Sequence, residues 1–295
     1  MYVITGGTGN TGKLVASKLL EAGKKVRIIS RNAEKAKELT NKGAELFIGD
    51  TSNVEILKKA FSGATAVYAM IPIDWQAVNY TEHQVKHANA IAKALEECKV
   101  RYVVSLSSQG AHLESGSGVV LGLHKMENTF NKIEGLHTLH LRPTYFMENT
   151  LGMIGLIKQA GIMGSPLKPN LSFSVIATKD IGNYAAKRLL ALDFNGHNIQ
   201  NLLGAREVSY PEMAKVYGAS IGKDDLKYVE FPFADFKSSL MQQMGASENI
   251  ADNFNEFIKA MNEGKVLANS KRDAESTTPT TIEEFANTFK YVYNM

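Results

Sequence analysis

The first half of the chain alternates short apolar runs with longer amphipathic stretches. The apolar runs predict buried strands, and the amphipathic stretches predict helices. The predicted strands are at 2–5, 25–30, 45–49, 66–71 and 102–107, and the helices between them are at 11–23, 33–42, 53–61 and 79–97. Strands that alternate with helices in this way form right-handed βαβ units with a parallel sheet covered on both faces. The pattern therefore predicts an α/β fold, a doubly wound parallel sheet of the Rossmann type.

The rhythm changes after about residue 149. A strand at 173–177 and a helix at 179–192 still look like parts of the sheet domain, whereas from 208 onwards the pattern is mostly helical. We therefore expect a dinucleotide-binding domain at 1–205 and a smaller, mostly helical lobe at 206–295 on the substrate side. Thr281 and Glu284 form the pattern of a capping box, which predicts a final helix that packs back on the first domain.

Composition narrows the class of protein. Hydrophobic residues make up 44% of the 295 residues, and no apolar run approaches the roughly 18 residues of a membrane span. The start of the chain lacks the features of a signal peptide, so we expect a cytoplasmic protein with no membrane association. Net charge is only +3 and the single cysteine, Cys98, accompanies no metal-ligand spacing. We therefore expect neither direct nucleic-acid binding nor a metal site.

A glycine-rich loop, GGTGNTG, follows the first predicted strand and opens the first predicted helix. In that setting the first glycine permits a tight turn, the second lets backbone N–H groups approach a pyrophosphate, and the third lets helix and strand pack closely. The alternative is a tight turn that binds nothing. We expect this loop to bind a dinucleotide through Gly6, Thr8, Gly9, Asn10, Thr11 and Gly12.

Cofactor choice is predicted from the end of the second strand, where NAD-binding proteins carry an acidic residue for the ribose 2′-hydroxyl. This chain has Arg31 there. A guanidinium can pair bidentately with a 2′-phosphate, so NADPH is favoured over NADH. The alternative is that Arg31 is a solvated surface charge.

Two further segments fit a cofactor that lies across the strand ends. Asp50, after the third strand, could accept a hydrogen bond from the adenine amino group or could equally cap the following helix. The turn Met70, Ile71 and Pro72 is apolar where the chain passes the middle of the cofactor. It can pack on the dinucleotide but supplies no chemistry.

Taken together, these motifs resemble a known family. GGTGNTG, SRN, GD, AMIP, VVSLSSQG, HKMEN and LRPTYFMEN are similar to the NmrA-like branch of the atypical short-chain dehydrogenase/reductases, over about residues 1–195. That branch includes NAD(P)H:quinone oxidoreductase-like proteins and redox-sensing regulators. The resemblance implies an NAD(P)-binding protein.

The resemblance also implies roles for residues on the nicotinamide side. Lys125 would bind the nicotinamide ribose, and Ser107 or Ser108 would meet the substrate. The segment Pro143, Thr144, Tyr145 and Phe146 would flank the nicotinamide. The Tyr-x-x-x-Lys pattern of the wider superfamily is incomplete, because Leu121 stands at the tyrosine position.

The absence of a tyrosine at position 121 helps to choose between three candidate functions. A nucleotide-sugar epimerase needs a positioned base of tuned pKa, which a leucine cannot supply. A quinone-like acceptor takes hydride directly and can obtain its proton from water, His124 or Tyr145. The first expectation is an NADPH-dependent oxidoreductase that acts on a small acceptor such as a quinone, with Lys125, His124 and Ser108 as catalytic residues. The alternative is a non-catalytic NADP(H) redox sensor with a protein partner, and an epimerase-like protein comes third.

Overall fold

The computed structural model describes all 295 residues. The first part of the chain contains five strands and five helices: β1 (Tyr2–Thr5), α1 (Asn10–Glu21), β2 (Val26–Ser30), α2 (Ala33–Asn41), β3 (Glu45–Ile48), α3 (Val54–Phe61), β4 (Ala66–Ala69), α4 (Tyr80–Glu97), β5 (Tyr102–Leu106) and α5 (Leu121–Phe130). The remainder contains seven strands and six helices: β6 (His137–Pro143), β7 (Tyr145–Phe146), α6 (Ile154–Ala160), β8 (Ile162–Ser165), β9 (Phe173–Ile176), α7 (Thr178–Ala191), β10 (His197–Leu202), β11 (Glu207–Val208), α8 (Tyr210–Ile221), β12 (Lys227–Glu230), α9 (Phe233–Met244), α10 (Glu248–Asn262) and α11 (Ile282–Tyr293).

Seven parallel strands form the central sheet in the order β10-β6-β5-β4-β1-β2-β3. The order reverses direction between β1 and β4, so the loops after these two strands diverge and leave a crevice at the carboxyl edge of the sheet. This topology confirms the predicted doubly wound Rossmann fold. The glycine loop and the Met70–Pro72 turn, which follow β1 and β4, both border that crevice.

Side chains alternate between the two faces of the sheet, as the pleat of a strand requires. On β1, Tyr2 and Ile4 join a buried cluster with α1, α2 and α7, whereas Val3 joins a second cluster with α3, α4 and α5. Each face of the sheet is thus covered by three helices. This explains why the strands of a parallel sheet are continuously apolar rather than alternating.

A third cluster of 22 buried residues forms the core of the second lobe. Helices α8 and α11 pack there, with the rings of Tyr217 and Phe289 stacked at 4.1 Å. The cluster draws on residues from Met147 onwards as well as on the C-terminal helices. The predicted division at residues 205 and 206 stays a prediction.

One predicted strand lies elsewhere than expected. The apolar run at 173–177 forms β9, but it pairs with β7 and β11 in a separate three-stranded sheet instead of joining the central one. Its burial comes from the core of the second lobe, to which Phe173 and Val175 belong. The pattern predicted a buried strand correctly, but a local pattern does not specify the partner of a strand.

Two strands of the central sheet, β6 and β10, were not predicted. Both carry polar residues, and β10 is an edge strand whose Ile199 is exposed. The capping box of α11 is confirmed, because Thr281 accepts from the Glu284 N–H and the Glu284 carboxylate accepts from the Thr281 N–H. No helix combines the length and apolar character that crossing a membrane requires.

Candidate functional site

The glycine loop is shaped by close contacts that only glycine permits. Gly6 has φ +61°, and a Cβ there would lie 2.2 Å from the Sδ atom of Met70. A Cβ on Gly12 would lie 2.3 Å from the carbonyl oxygen of Gly6, so this glycine lets α1 start against the loop. A Cβ on Gly9 would meet only that same oxygen, at 3.3 Å. Gly9 is therefore the one of these three glycines that borders otherwise open space.

The start of α1 is equipped to bind an anion. Gly9 is the N-cap residue, and no side chain caps the helix, so the N–H groups of its first turn are left without a protein partner. These groups and the helix dipole favour a negative charge at this position. The Thr11 hydroxyl accepts from the buried Tyr68 hydroxyl at 2.9 Å, and its role in binding the cofactor stays a prediction. The geometry fits a pyrophosphate held by backbone N–H groups of Asn10 and its neighbours.

On the β2 side of the loop, Arg31 is open to solvent, with 64% of its side chain exposed. Its guanidinium lies 3.9 Å from the Asp50 carboxylate, which is too far for a strong hydrogen bond. Thr8 and Ser30 join the loop to the end of β2 through a hydroxyl pair at 3.0 Å. Nothing in this arrangement prevents Arg31 from turning toward a phosphate.

Asp50 has partners on two sides. Its carboxylate accepts from the Ser52 N–H at 2.8 Å and lies 3.7 Å from Nε2 of His87. Partial burial works against ionisation of Asp50, but the hydrogen bonds from Ser52 and the nearby His87 and Arg31 outweigh it and lower its pKa. Burial and the neighbouring His83 lower the pKa of His87 to about 4. Asp50 is thus an ionised acceptor beside a neutral imidazole, and it also forms the turn that leads into α3.

The Met70–Pro72 turn is anchored from both ends. Met70 N–H donates to the Thr5 hydroxyl at 2.7 Å, and the Pro72 carbonyl is 3.1 Å from Nε2 of His83. Met70 and Ile71 pack against opposite clusters of the sheet domain. This places an apolar turn beside the glycine loop, at the point where the strand order reverses.

A buried ion pair lies beneath the other side of the crevice. Glu127 accepts from Nε of Arg142 at 2.9 Å and from its second terminal nitrogen at 2.5 Å. It also accepts from the Ser107 hydroxyl at 2.5 Å. The Glu127 side chain is only 5% exposed. The Ser107 hydroxyl is therefore committed to Glu127 and ties the end of β5 to α5 and β6.

The other predicted groups on α5 and β5 are placed as follows. His124 lies 2.9 Å from the Ala111 carbonyl through Nδ1 and 2.9 Å from the Asn128 amide through Nε2. Lys125 is exposed and forms no ion pair within 4.0 Å. The Ser108 hydroxyl donates to the carbonyl of Gln109. The catalytic roles predicted for these residues stay predictions.

The segment after β6 lies where the two lobes meet. Pro143 is buried and its carbonyl accepts from the Gln109 N–H at 3.0 Å. Tyr145 packs against the core of the second lobe, whereas Phe146 packs against the sheet domain. The Tyr145 hydroxyl lies 2.8 Å from that of Tyr210. Tyr145 thus stands at the junction of the lobes.

Sequence reasoning missed three functional neighbours: Glu127, Arg142 and Tyr210. Glu127 lies within HKMEN and Arg142 within LRPTYFMEN, two motifs that carry the family resemblance. A buried charge paired across 15 residues leaves no periodic signal. Tyr210 lies 65 residues from its partner Tyr145, beyond the reach of any local pattern.

Comparisons with known proteins identify the family and the fold of this chain. The model of the NmrA-like family matches residues 2–286. An NAD(P)H azoreductase of Xenophilus azovorans is 29% identical over 260 residues, which cover 87% of this chain and 86% of the relative.

Two solved structures resemble the whole chain. Triphenylmethane reductase of Citrobacter sp., complexed with NADP(H), has a TM-score of 0.80 at 20% identity and covers 98% of this chain and 100% of its own. An NADPH-dependent quinone oxidoreductase of Escherichia coli, complexed with NADPH, has a TM-score of 0.80 at 19% identity and covers 98% of this chain and 99% of its own. At these identities the likeness concerns the fold. The family match spans nearly the whole chain and confirms the predicted resemblance: this chain is a member of the NmrA-like family.

Proposed function

We propose that this protein is an NADPH-dependent oxidoreductase that reduces a small conjugated acceptor of the quinone class. The observation that carries the proposal is the uncapped start of α1 behind Gly9, with Arg31 exposed at the end of the neighbouring strand. Backbone N–H groups suit the pyrophosphate, and the guanidinium suits a 2′-phosphate. The named relatives, two of them bound to NADP(H) or NADPH, support the same assignment.

The two sides of the crevice give the cofactor a direction. Arg31 and Asp50 follow β2 and β3 on one side of the glycine loop, whereas Ser107 and the Pro143–Phe146 segment follow β5 and β6 on the other. The adenosine end would lie at the first pair, and the nicotinamide end would lie near Lys125 and the second group. Bound NADPH supplies a hydride at the nicotinamide end. The protein then has to hold an acceptor there, between the sheet and the second lobe.

The relatives narrow the acceptor class. They are named for azo compounds, triphenylmethane dyes and quinones, which are all conjugated systems able to accept a hydride. Leu121 in place of a tyrosine argues against a reaction that needs a strong base at that position, such as epimerisation of a sugar. For each hydride transferred, a conjugated acceptor requires positioning and one proton at most.

The test is oxidation of NADPH followed by absorbance, with menadione, an azo dye and crystal violet offered separately. Conversion of a nucleotide sugar to its epimer is followed by chromatography, because an epimerase returns the hydride and consumes no NADPH. We expect turnover with at least one conjugated acceptor and none with the sugar. The Gly9→Val variant is the matched control, because it should stay folded and lose turnover with its cofactor. Tight NADPH binding without turnover of any acceptor would favour the sensor alternative. Turnover of the sugar would favour the epimerase.

A further inference from the structure

Reduction of a neutral quinone requires a proton as well as a hydride. We call the part of the crevice next to Lys125, Ser107 and the Pro143–Phe146 segment the acceptor side, and most polar groups there already have hydrogen-bond partners. Ser107 donates to Glu127, and Ser108 donates to a backbone carbonyl. Both ring nitrogens of His124 have partners. Lys125 is exposed and is expected to bind the nicotinamide ribose. The Tyr145 hydroxyl, at the junction of the lobes, is the remaining candidate for the proton donor.

The Tyr145 and Tyr210 hydroxyls form a pair at 2.8 Å. Tyr210 is only 1% exposed, and its hydroxyl has no other hydrogen-bond partner. Tyr145 is partly exposed. The nearby Tyr228 differs, because its hydroxyl donates to the backbone carbonyls of Ser165 and Leu167.

Burial decides which of the two hydroxyls donates the hydrogen bond between them. If Tyr145 donated to Tyr210, the Tyr210 proton would be left buried without an acceptor, which costs about 1–3 kcal/mol. Tyr210 therefore donates to Tyr145. The Tyr145 proton is then free for another acceptor, and the exposed Asn149 side chain lies near the Tyr145 hydroxyl.

We infer that Tyr145 is the proton donor to the reduced acceptor and that Tyr210 is a positioning residue that holds its hydroxyl. This inference rests on the proposed function. Hydride addition turns a neutral quinone into an anion. The O–H bond of Tyr145 breaks, its proton forms an O–H bond on the anionic acceptor oxygen, and the electron pair stays on the phenolate. The Tyr210 hydroxyl stabilises that phenolate, which then takes a proton from water.

The pKa shifts of the two phenols agree with Tyr145 as the proton donor and Tyr210 as the positioning residue. Burial raises the pKa of both phenols, but the hydrogen bond from Tyr210 and that from Asn149 act to lower the pKa of Tyr145. The bond to Tyr145 instead adds to the rise of the pKa of Tyr210. Of two coupled phenols, Tyr145 is thus the one that more readily releases its proton.

The experiment compares two acceptors that differ in their need for a proton. Menadione becomes an anion after hydride addition and needs one. Crystal violet is a cation that becomes a neutral product, so it needs none. In Tyr145→Phe we expect menadione reduction to fall at least a hundredfold, the lower range for a general acid, while crystal violet reduction stays within about twofold.

Three controls accompany it. Tyr210→Phe should lower the ratio of menadione to crystal violet reduction about tenfold, and Tyr228→Phe should leave that ratio unchanged. NADPH affinity by calorimetry and the melting temperature should stay near wild type in Tyr145→Phe. A purely structural role would lower both reductions together and would leave the ratio unchanged.

Each outcome bears on one inference. Wild type that reduces neither acceptor contradicts the proposed function itself. A wild-type protein that reduces crystal violet but not menadione contradicts the role of Tyr145 as proton donor. A Tyr145→Phe variant in which both rates fall equally, or in which neither falls, contradicts the same role. If wild type reduces menadione but not crystal violet, the ratio of the two rates cannot be measured. The inference then requires a hundredfold loss of menadione reduction in Tyr145→Phe at unchanged NADPH affinity and melting temperature. A smaller loss overturns it.

Discussion

The two sides of the crevice are built in different ways. The proposed cofactor side consists of backbone N–H groups and glycines within residues 6–12, with Arg31 and Asp50 one and two strands away. The proposed acceptor side consists of side chains far apart in the chain, such as Tyr145 with Tyr210. Free N–H groups at the start of a helix suit a phosphate group, whereas an acceptor requires a particular set of side chains. The cofactor side is thus local and general, and the acceptor side is assembled by the tertiary structure.

The sharpest way to break the cofactor side is at Gly9. Its φ of −82° and ψ of 169° suit any residue, so Gly9→Val should stay folded. Its side chain would occupy the space for the pyrophosphate, and we expect no measurable NADPH binding by calorimetry. Gly12→Val is the matched contrast, because its Cβ would collide with the Gly6 carbonyl and should destabilise the fold itself. Unchanged NADPH affinity in Gly9→Val would contradict the loop's role.

The acceptor side should be most sensitive at its buried ion pair. Glu127→Ala would leave the Arg142 charge buried without its carboxylate, and we expect the free energy of unfolding to fall by about 3–5 kcal/mol in urea titrations. Glu34→Ala removes an exposed pair with Lys37 and serves as the control, with a far smaller effect. Equal effects of the two substitutions would mean that burial does not decide the stabilising value of the pair.

A second test of the acceptor side is its response to acid. His140 is buried between Ser105 and Asn131, and burial lowers its pKa to about 4. The unfolded chain takes up this proton below about pH 6.5 and the folded chain does not, so stability is lost as the pH falls from 6.5 toward 4. We expect His140 to account for about 2–3 kcal/mol of the loss between pH 7 and 4.5.

His140→Gln is the comparison for that test. An amide keeps a donor and an acceptor but does not titrate, so urea unfolding of the variant should show a smaller loss of stability over the same pH interval. An identical acid response in wild type and variant would assign the loss to other groups, such as His87 beneath the cofactor side, whose pKa is also lowered to about 4.

The smallest expected effect is the difference in affinity between NADPH and NADH. A charge-assisted pair between Arg31 and a 2′-phosphate should favour NADPH over NADH by about 1.5–3 kcal/mol, which is a ten- to hundredfold difference in affinity. Because Arg31 is exposed, we expect a preference for NADPH near the lower end of this range. Arg31→Asp should reverse the preference in calorimetric titrations. Equal binding of the two cofactors by wild type would leave Arg31 as a surface charge.

Much of the fold could be predicted because its signals are local. The first strand coincides with its apolar run, the other strands and helices of the first half agree within about two residues, and the capping box of Thr281 and Glu284 is present as expected. Strand β9 was predicted as a strand but given the wrong sheet, because apolar character indicates burial and does not identify the partner. The polar strands β6 and β10 carried no clear signal.

By itself, the sequence determined the sheet domain, the glycine loop and the candidate phosphate-binding Arg31, since each depends on residues within a few positions of one another. Only the tertiary structure decided that Ser107 is committed to Glu127, that both ring nitrogens of His124 have partners and that Tyr145 meets Tyr210. These arrangements depend on which side chains meet when distant segments pack. Hydrogen-bond direction and burial arise from that packing, and no local pattern of residues encodes them.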